Sequence, residues 1–90
     1  MKKVSALKTM LENAIFDNDQ EMIEICSDEL EEANEANERI LLDMFKAEIL
    51  PTIPAHDSIM QREAYNNYID GWNKDGYLSD SYVHEMDNPF

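Results

Sequence analysis

Glu21, Glu24, Asp28, Glu31, Glu35 and Glu38 recur at alternating steps of three and four residues. That spacing lines side chains along one face of an α-helix. Glu29 and Glu32 widen the face, and from Asp17 to Glu38 there are ten acids and no Lys or Arg. A solvated helix face ordinarily mixes signs and gains a few tenths of a kcal/mol from each i,i+4 pair. This stretch forgoes those pairs and tolerates its own repulsion. The chemistry available to such a row is recognition of cations. It steers a basic surface from a distance and accepts charge-assisted bonds from Arg. At 1.5 Å per residue the row is roughly 25 Å long. To a basic groove it resembles the phosphates of about seven base pairs of duplex. The plainer reading is a solvated face that confers solubility.

Other residue types capable of chemistry are few. Asn73-Lys74-Asp75-Gly76-Tyr77-Leu78-Ser79 has the middle of an EF-hand loop, but Gly71 and Tyr82 fall where the first ligand and the bidentate twelfth ligand belong. It is read as a turn between helices, without sensor-like calcium affinity. His56 and His84 lack metal-ligand companions at HExxH or CxxC spacing. With only Gly71 and Gly76 there is no glycine-rich phosphate loop, and no spacing marks a Ser–His–acid triad. The expectation is a non-catalytic protein with no metal and no cofactor. Cys26 is the single cysteine, so no internal disulfide forms, and on an apolar face it acts as a small hydrophobe.

Charge narrows the partners. The net charge of -13, from 20 acids and 7 bases, repels nucleic acid and anionic membranes and favours a basic protein surface, above all that of a nucleic-acid-binding protein. No stretch reads as a signal-peptide core or a membrane span. The lone thiol fits a reducing, cytoplasmic setting, in the host cell if the chain is viral.

The elements that must position these residues are helical, and no period-2 alternation signals a strand. Ninety residues make one small domain, 1–90. A first helix begins near Ser5 and fades at Asp17-Asn18-Asp19. Asp19 caps a second, which Pro51 ends at Leu50. A break near Ser27 or Asn34 stays open. Residues 51–57 form a connector with two prolines. Ser58 and Gln61 have capping-box spacing for a third helix, stopped at 73–76. Ser79 caps a short fourth, with Leu78 and Val83 as a hydrophobic staple. The predicted fold is all-α: a long helical hairpin over 3–50 with a packed C-terminal helix pair over 58–87.

The second helix also carries an apolar seam. With Ile23 at a heptad a position, Cys26, Leu30, Ala33, Asn37, Ile40, Met44 and Ala47 alternate between d and a. The simpler reading packs this seam on the other helices of the same chain. The other makes it a homodimer interface over Ile23, Leu30, Ala33, Asn37, Ile40 and Met44, where a buried Asn37 selects register. Tyr65, Tyr68, Trp72, Tyr77, Tyr82 and Phe90 crowd the last 26 residues, and acidic surroundings point them to a core or protein interface rather than to base stacking.

The segment YNNYIDGWNKDGYLSDSYVHEMDNPF, residues 65–90, resembles the ends of small acidic proteins of tailed phages: a Tyr-rich helix, a KDG turn, a short helix and an NPF end. The resemblance implies a small host-takeover or anti-defence protein that blocks a host nucleic-acid enzyme, sometimes as a DNA mimic. It assigns no residue a role. The expected function is an acidic inhibitor that places Glu21, Glu24, Asp28, Glu31, Glu32, Glu35 and Glu38 on a basic surface. The competing expectation is a self-associating scaffold, adaptor or phage assembly factor.

Overall fold

Turn residues with little conformational freedom decide where the helices stop. In a computed structural model describing residues 1–90, α1 (Ser5–Phe16), α2 (Gln20–Glu48), α3 (Ser58–Lys74) and α4 (Asp80–Glu85) are joined by short connections, with one 3-10 turn at Leu50–Thr52 and no strand. Asn18 takes a positive φ of 56°, a conformation Asn tolerates. This lets Asp19 N–H reach Ala14 C=O at 3.0 Å and Asn18 N–H reach Ile15 C=O at 3.1 Å. The pair of bonds is a Schellman stop for α1. Asp19 then caps α2 through its carboxylate, which accepts from Met22 N–H at 3.2 Å. One residue thus closes one helix and opens the next, and α1 folds back on α2 as a hairpin.

α2 runs unbroken through 29 residues, roughly 44 Å. It stops two residues short of the expected Leu50, because Pro51 disfavours α geometry at the residue before it. The chain tightens into the 3-10 turn instead, with Thr52 N–H on Ile49 C=O at 2.9 Å. The cap of α3 also differs from expectation. Asp57, not Ser58, accepts Met60 N–H, at 2.9 Å, and Ser58 is the first helical residue. Asp57 is placed for this by the turn in which its N–H bonds Pro54 C=O at 3.0 Å. Gln61 turns away to the carbonyls of Pro54 and Ala55 at 3.3 and 3.4 Å, so no capping box forms.

The core sits at one end. Leu41 and Phe45 of α2, Tyr65 and Ile69 of α3, and Leu78 form a buried cluster. Phe45 meets Tyr65 edge-on at 5.1 Å and lies 5.3 Å from Phe90. The C-terminal aromatics are therefore core and its lid. The buried line along α2 is Cys26, Asn34, Asn37, Leu41 and Phe45. Toward its C-terminal end this replaces the predicted seam positions Ile40, Met44 and Ala47. A straight helix drifts ~20° per heptad from a strict seven-residue repeat, so three heptads turn the seam by about 60° and hand burial to the next residue.

Two asparagines and a glycine tie the ends together. Asn34 Nδ2 donates to Ser79 Oγ, and Asn34 Oδ1 accepts Ser79 N–H, both at 2.9 Å. Ser79 precedes α4, but its hydroxyl faces Asn34 and makes no cap bond. Asn37 Nδ2 donates to Lys2 C=O at 2.6 Å and Tyr77 C=O at 2.8 Å. Gly76 C=O accepts Val4 N–H at 2.8 Å and Ser5 N–H at 3.2 Å, serving as the cap that α1 lacks from any side chain. The result is a rod of 51 × 20 × 17 Å with a radius of gyration of 15.3 Å. A compact chain of this length would have about 12 Å.

Candidate protein-binding surface

An unbroken α2 sets Glu21, Glu24, Asp28, Glu31, Glu32 and Glu35 on the outside of the rod, all exposed. Glu21 lies in the first turn, where the helix dipole favours a negative charge. The others gain nothing from it. Nor do they gain from ion pairs: the two in the molecule are Lys8–Asp80 at 4.0 Å and Lys74–Asp70 at 3.0 Å, neither in the row. α2 is held by its buried face, not by its charged one.

Glu38 stands apart from the rest of the row. It is half-buried, and its Oε1 accepts the Tyr82 hydroxyl at 2.5 Å. Burial and that hydrogen bond both push the Tyr82 phenol well above its ordinary pKa. The bond pins α4 against the end of the row. Beside it lies a cleft of about 460 Å³. Glu35, Glu38 and Asp87 supply its carboxylates, Arg39 its one cation, and Tyr65 and Tyr82 its phenols. Tyr65 is 1% exposed and its hydroxyl has no hydrogen-bond partner. Burial, then the charge of Glu38, raises its pKa to about 12.

The predicted seam residues do not stay together. Asn37 is buried and bonded within its own chain, so its amide has no further part in selecting a partner's register. Ile23, Leu30, Ala33 and Met44 are half-buried, while Ile40 is 43% exposed. Ala33, Ala36 and Ile40 line a shallow groove with Met1 and Lys2.

The EF-hand-like loop acts as the stop of α3. Gly76, with φ +88°, and Tyr77 make the two Schellman bonds to Asn73 and Trp72. Asn73 Nδ2 donates to Leu78 C=O at 2.9 Å and Asp80 Oδ1 at 2.8 Å, which holds the loop closed without an ion. Nowhere do three His, Cys, Asp or Glu side chains converge in a way that could hold a metal. His56 and His84 are exposed, and Cys26 is buried. No helix is long and apolar enough to cross a membrane.

Reasoning from spacing missed Arg39, Tyr65, Tyr82 and Asp87 as neighbours of the row. Tyr82 lies 44 positions from Glu38, beyond the reach of any periodicity. The one available signal was the aromatic face of α3, which contains Tyr65. No family model matches the chain, and no curated protein or solved structure is detectably similar to it.

Proposed function

We propose that this chain is a non-catalytic acidic binding protein that occupies a basic, nucleic-acid-binding surface of another protein, in the manner of a DNA mimic. The observation that supports this reading is the carboxylate row. Five of its six members on the three-four spacing are exposed, and none is offset by an ion pair. An unpaired one-sign row about 25 Å long on a rigid helix raises the encounter rate with a cationic groove. It is also already organised when it arrives, so little ordering entropy opposes docking. The finer form of the proposal follows the C-terminal resemblance: a phage-type inhibitor of a host defence protein. The exposed Ile40 beside Ala33 and Ala36 favours a second reading, self-association through that groove.

Replacing Glu24, Asp28, Glu31 and Glu35 together with Gln tests the first reading. Basic proteins captured from a host lysate by the wild type should be released by added duplex DNA. Four exposed pairs at ~0.3–1 kcal/mol each amount to roughly 1–4 kcal/mol, so the variant should bind about five- to several-hundredfold more weakly, with a flatter salt dependence. The isolated variant should be slightly more stable, because like-charge repulsion is relieved. Capture that is equally tight in wild type and variant across a salt series would leave the row as a solvated face only.

A further inference from the structure

We propose that the cleft at the C-terminal end of the carboxylate row is a guanidinium pocket, which receives one arginine side chain of the basic partner; the inference rests on the acidic-binder reading and gives that surface its anchor. Three carboxylates, Glu35, Glu38 and Asp87, face one cation, Arg39, so the cleft carries a formal charge of 3 − 1 = 2 negative units. Charge alone would make it no more than another acidic patch. The second observation is Tyr65. Its hydroxyl is buried, lacks any partner and belongs to a residue that lines this cleft. Buried polar groups are almost always satisfied, so an orphan on a residue that lines a cleft marks a place where a ligand's polar atom belongs.

The neighbours of that hydroxyl identify the ligand. Tyr65 lines the cleft together with both members of the hydrogen-bonded Glu38–Tyr82 pair. Tyr82 occupies Glu38 Oε1, whereas Oε2 accepts no hydrogen bond. The vacant acceptors are therefore Glu38 Oε2, the carboxylates of Glu35 and Asp87, and the lone pairs of Tyr65. A guanidinium has five N–H donors, no acceptor and a flat shape, so it satisfies several acceptors at once. A lysine ammonium is more strongly hydrated and offers three donors around a point. The apolar walls supplied by Leu42 and Pro89 favour the less hydrated, planar cation. Arg39 is exposed and makes no ion pair, so it yields to an incoming cation without losing one.

The test is an NMR titration of the ¹⁵N-labelled full chain with N-acetyl-arginine amide and, separately, with N-acetyl-lysine amide. The arginine probe should give saturable shifts concentrated on Glu38, Arg39, Leu42, Tyr82 and Asp87, and the lysine probe should bind at least about fivefold more weakly. Tyr65→Phe should weaken the arginine probe about five- to tenfold. Its thermal stability should be unchanged or higher, since the orphan hydroxyl is gone. Asp87→Asn, a surface change at the cleft rim, should weaken the probe as well. Shifts spread without saturation along the whole row, equal binding of the two probes, or wild-type affinity in Tyr65→Phe would each overturn the proposal. A hexa-arginine peptide separates the two levels. If it binds the wild type and is lost on the fourfold Gln replacement while the arginine probe fails, only the pocket falls. If hexa-arginine does not bind the wild type, the acidic-binder reading falls with it.

Discussion

Asn37 shows how one side chain's role depends on what lies opposite it. An amide on an apolar seam must be paired, and either a second copy or the same chain can supply the carbonyls. Here Lys2 and Tyr77 supply them. Asn37→Leu keeps the number of side-chain heavy atoms, though with bulkier methyl groups at a buried site, and leaves both carbonyls without their donor. Part of that loss is recovered by water at the exposed Lys2 end, so about 1–3 kcal/mol of stability should disappear. Urea denaturation measures the loss, and sedimentation at micromolar concentration measures the oligomeric state. The state should match that of the wild type. A variant of unchanged stability that shifts oligomeric state would instead place the Asn37 amide between two copies.

At the scale of elements, the ends of helices determine the architecture more than their interiors do. Two of the three connections between α-helices begin with a Schellman stop, at Asn18 and at Gly76, and both use a positive φ. The Gly76 turn has the larger consequences. Its carbonyl caps α1, and the residues after it present Tyr77 and Ser79 to the two asparagines of α2. A Cβ at position 76 would sit 3.1 Å from Ser5 Oγ and 3.3 Å from Ser5 Cβ. Gly76→Ala therefore meets two penalties: about 1–2 kcal/mol for an L-residue in the left-handed region, and displacement of the start of α1. Thermal unfolding should show a loss of at least that size. Amide exchange should quicken at Val4 and Ser5, whose N–H groups bond the Gly76 carbonyl. Full wild-type stability would mean that the turn relaxes freely and does not organise the N-terminus.

For the whole molecule, the distribution of burial along the rod sets the response to pH. The aromatic core and the Glu38–Tyr82 pair occupy one end. The hairpin tip has two helices only and leaves Phe16 91% exposed. Tyr65 and Tyr82 are both favoured in their neutral form by the fold. In the unfolded chain they lose protons near the ordinary value of about 10. In the folded chain Tyr65 does so at about 12, and Tyr82 also holds its proton above the ordinary value. Above pH ~10 the unfolded state thus binds fewer protons than the folded state, and stability falls as pH rises. The contribution is complete below about pH 10 and is lost progressively toward pH 12 and beyond. Urea midpoints at pH 8 and pH 11 should diverge more for the wild type than for a Tyr65→Phe, Tyr82→Phe double variant. Equal divergence would show that the two phenols are solvated.

The sequence by itself determined the helical class, the Asp19 cap and the outward carboxylate row, because each follows from local spacing and from propensities acting within a few residues; that α2 runs without a break at Ser27 or Asn34 came from the structure. The sequence also placed the stop at 73–76, since Gly76 is the residue best suited to a positive φ. Tertiary structure decided the rest. The three-residue and four-residue steps of α2 are compatible with seams through Ile40 and Met44 or through Leu41 and Phe45. Only packing against Tyr65, Ile69 and Leu78 selects the second. Asp57 and Ser58 are both good caps, and the turn at Pro54 selects Asp57. The cleft was not legible at all. Glu38, Tyr65, Tyr82 and Asp87 come from three helices and the C-terminal segment, and no spacing along the chain records an encounter produced by folding.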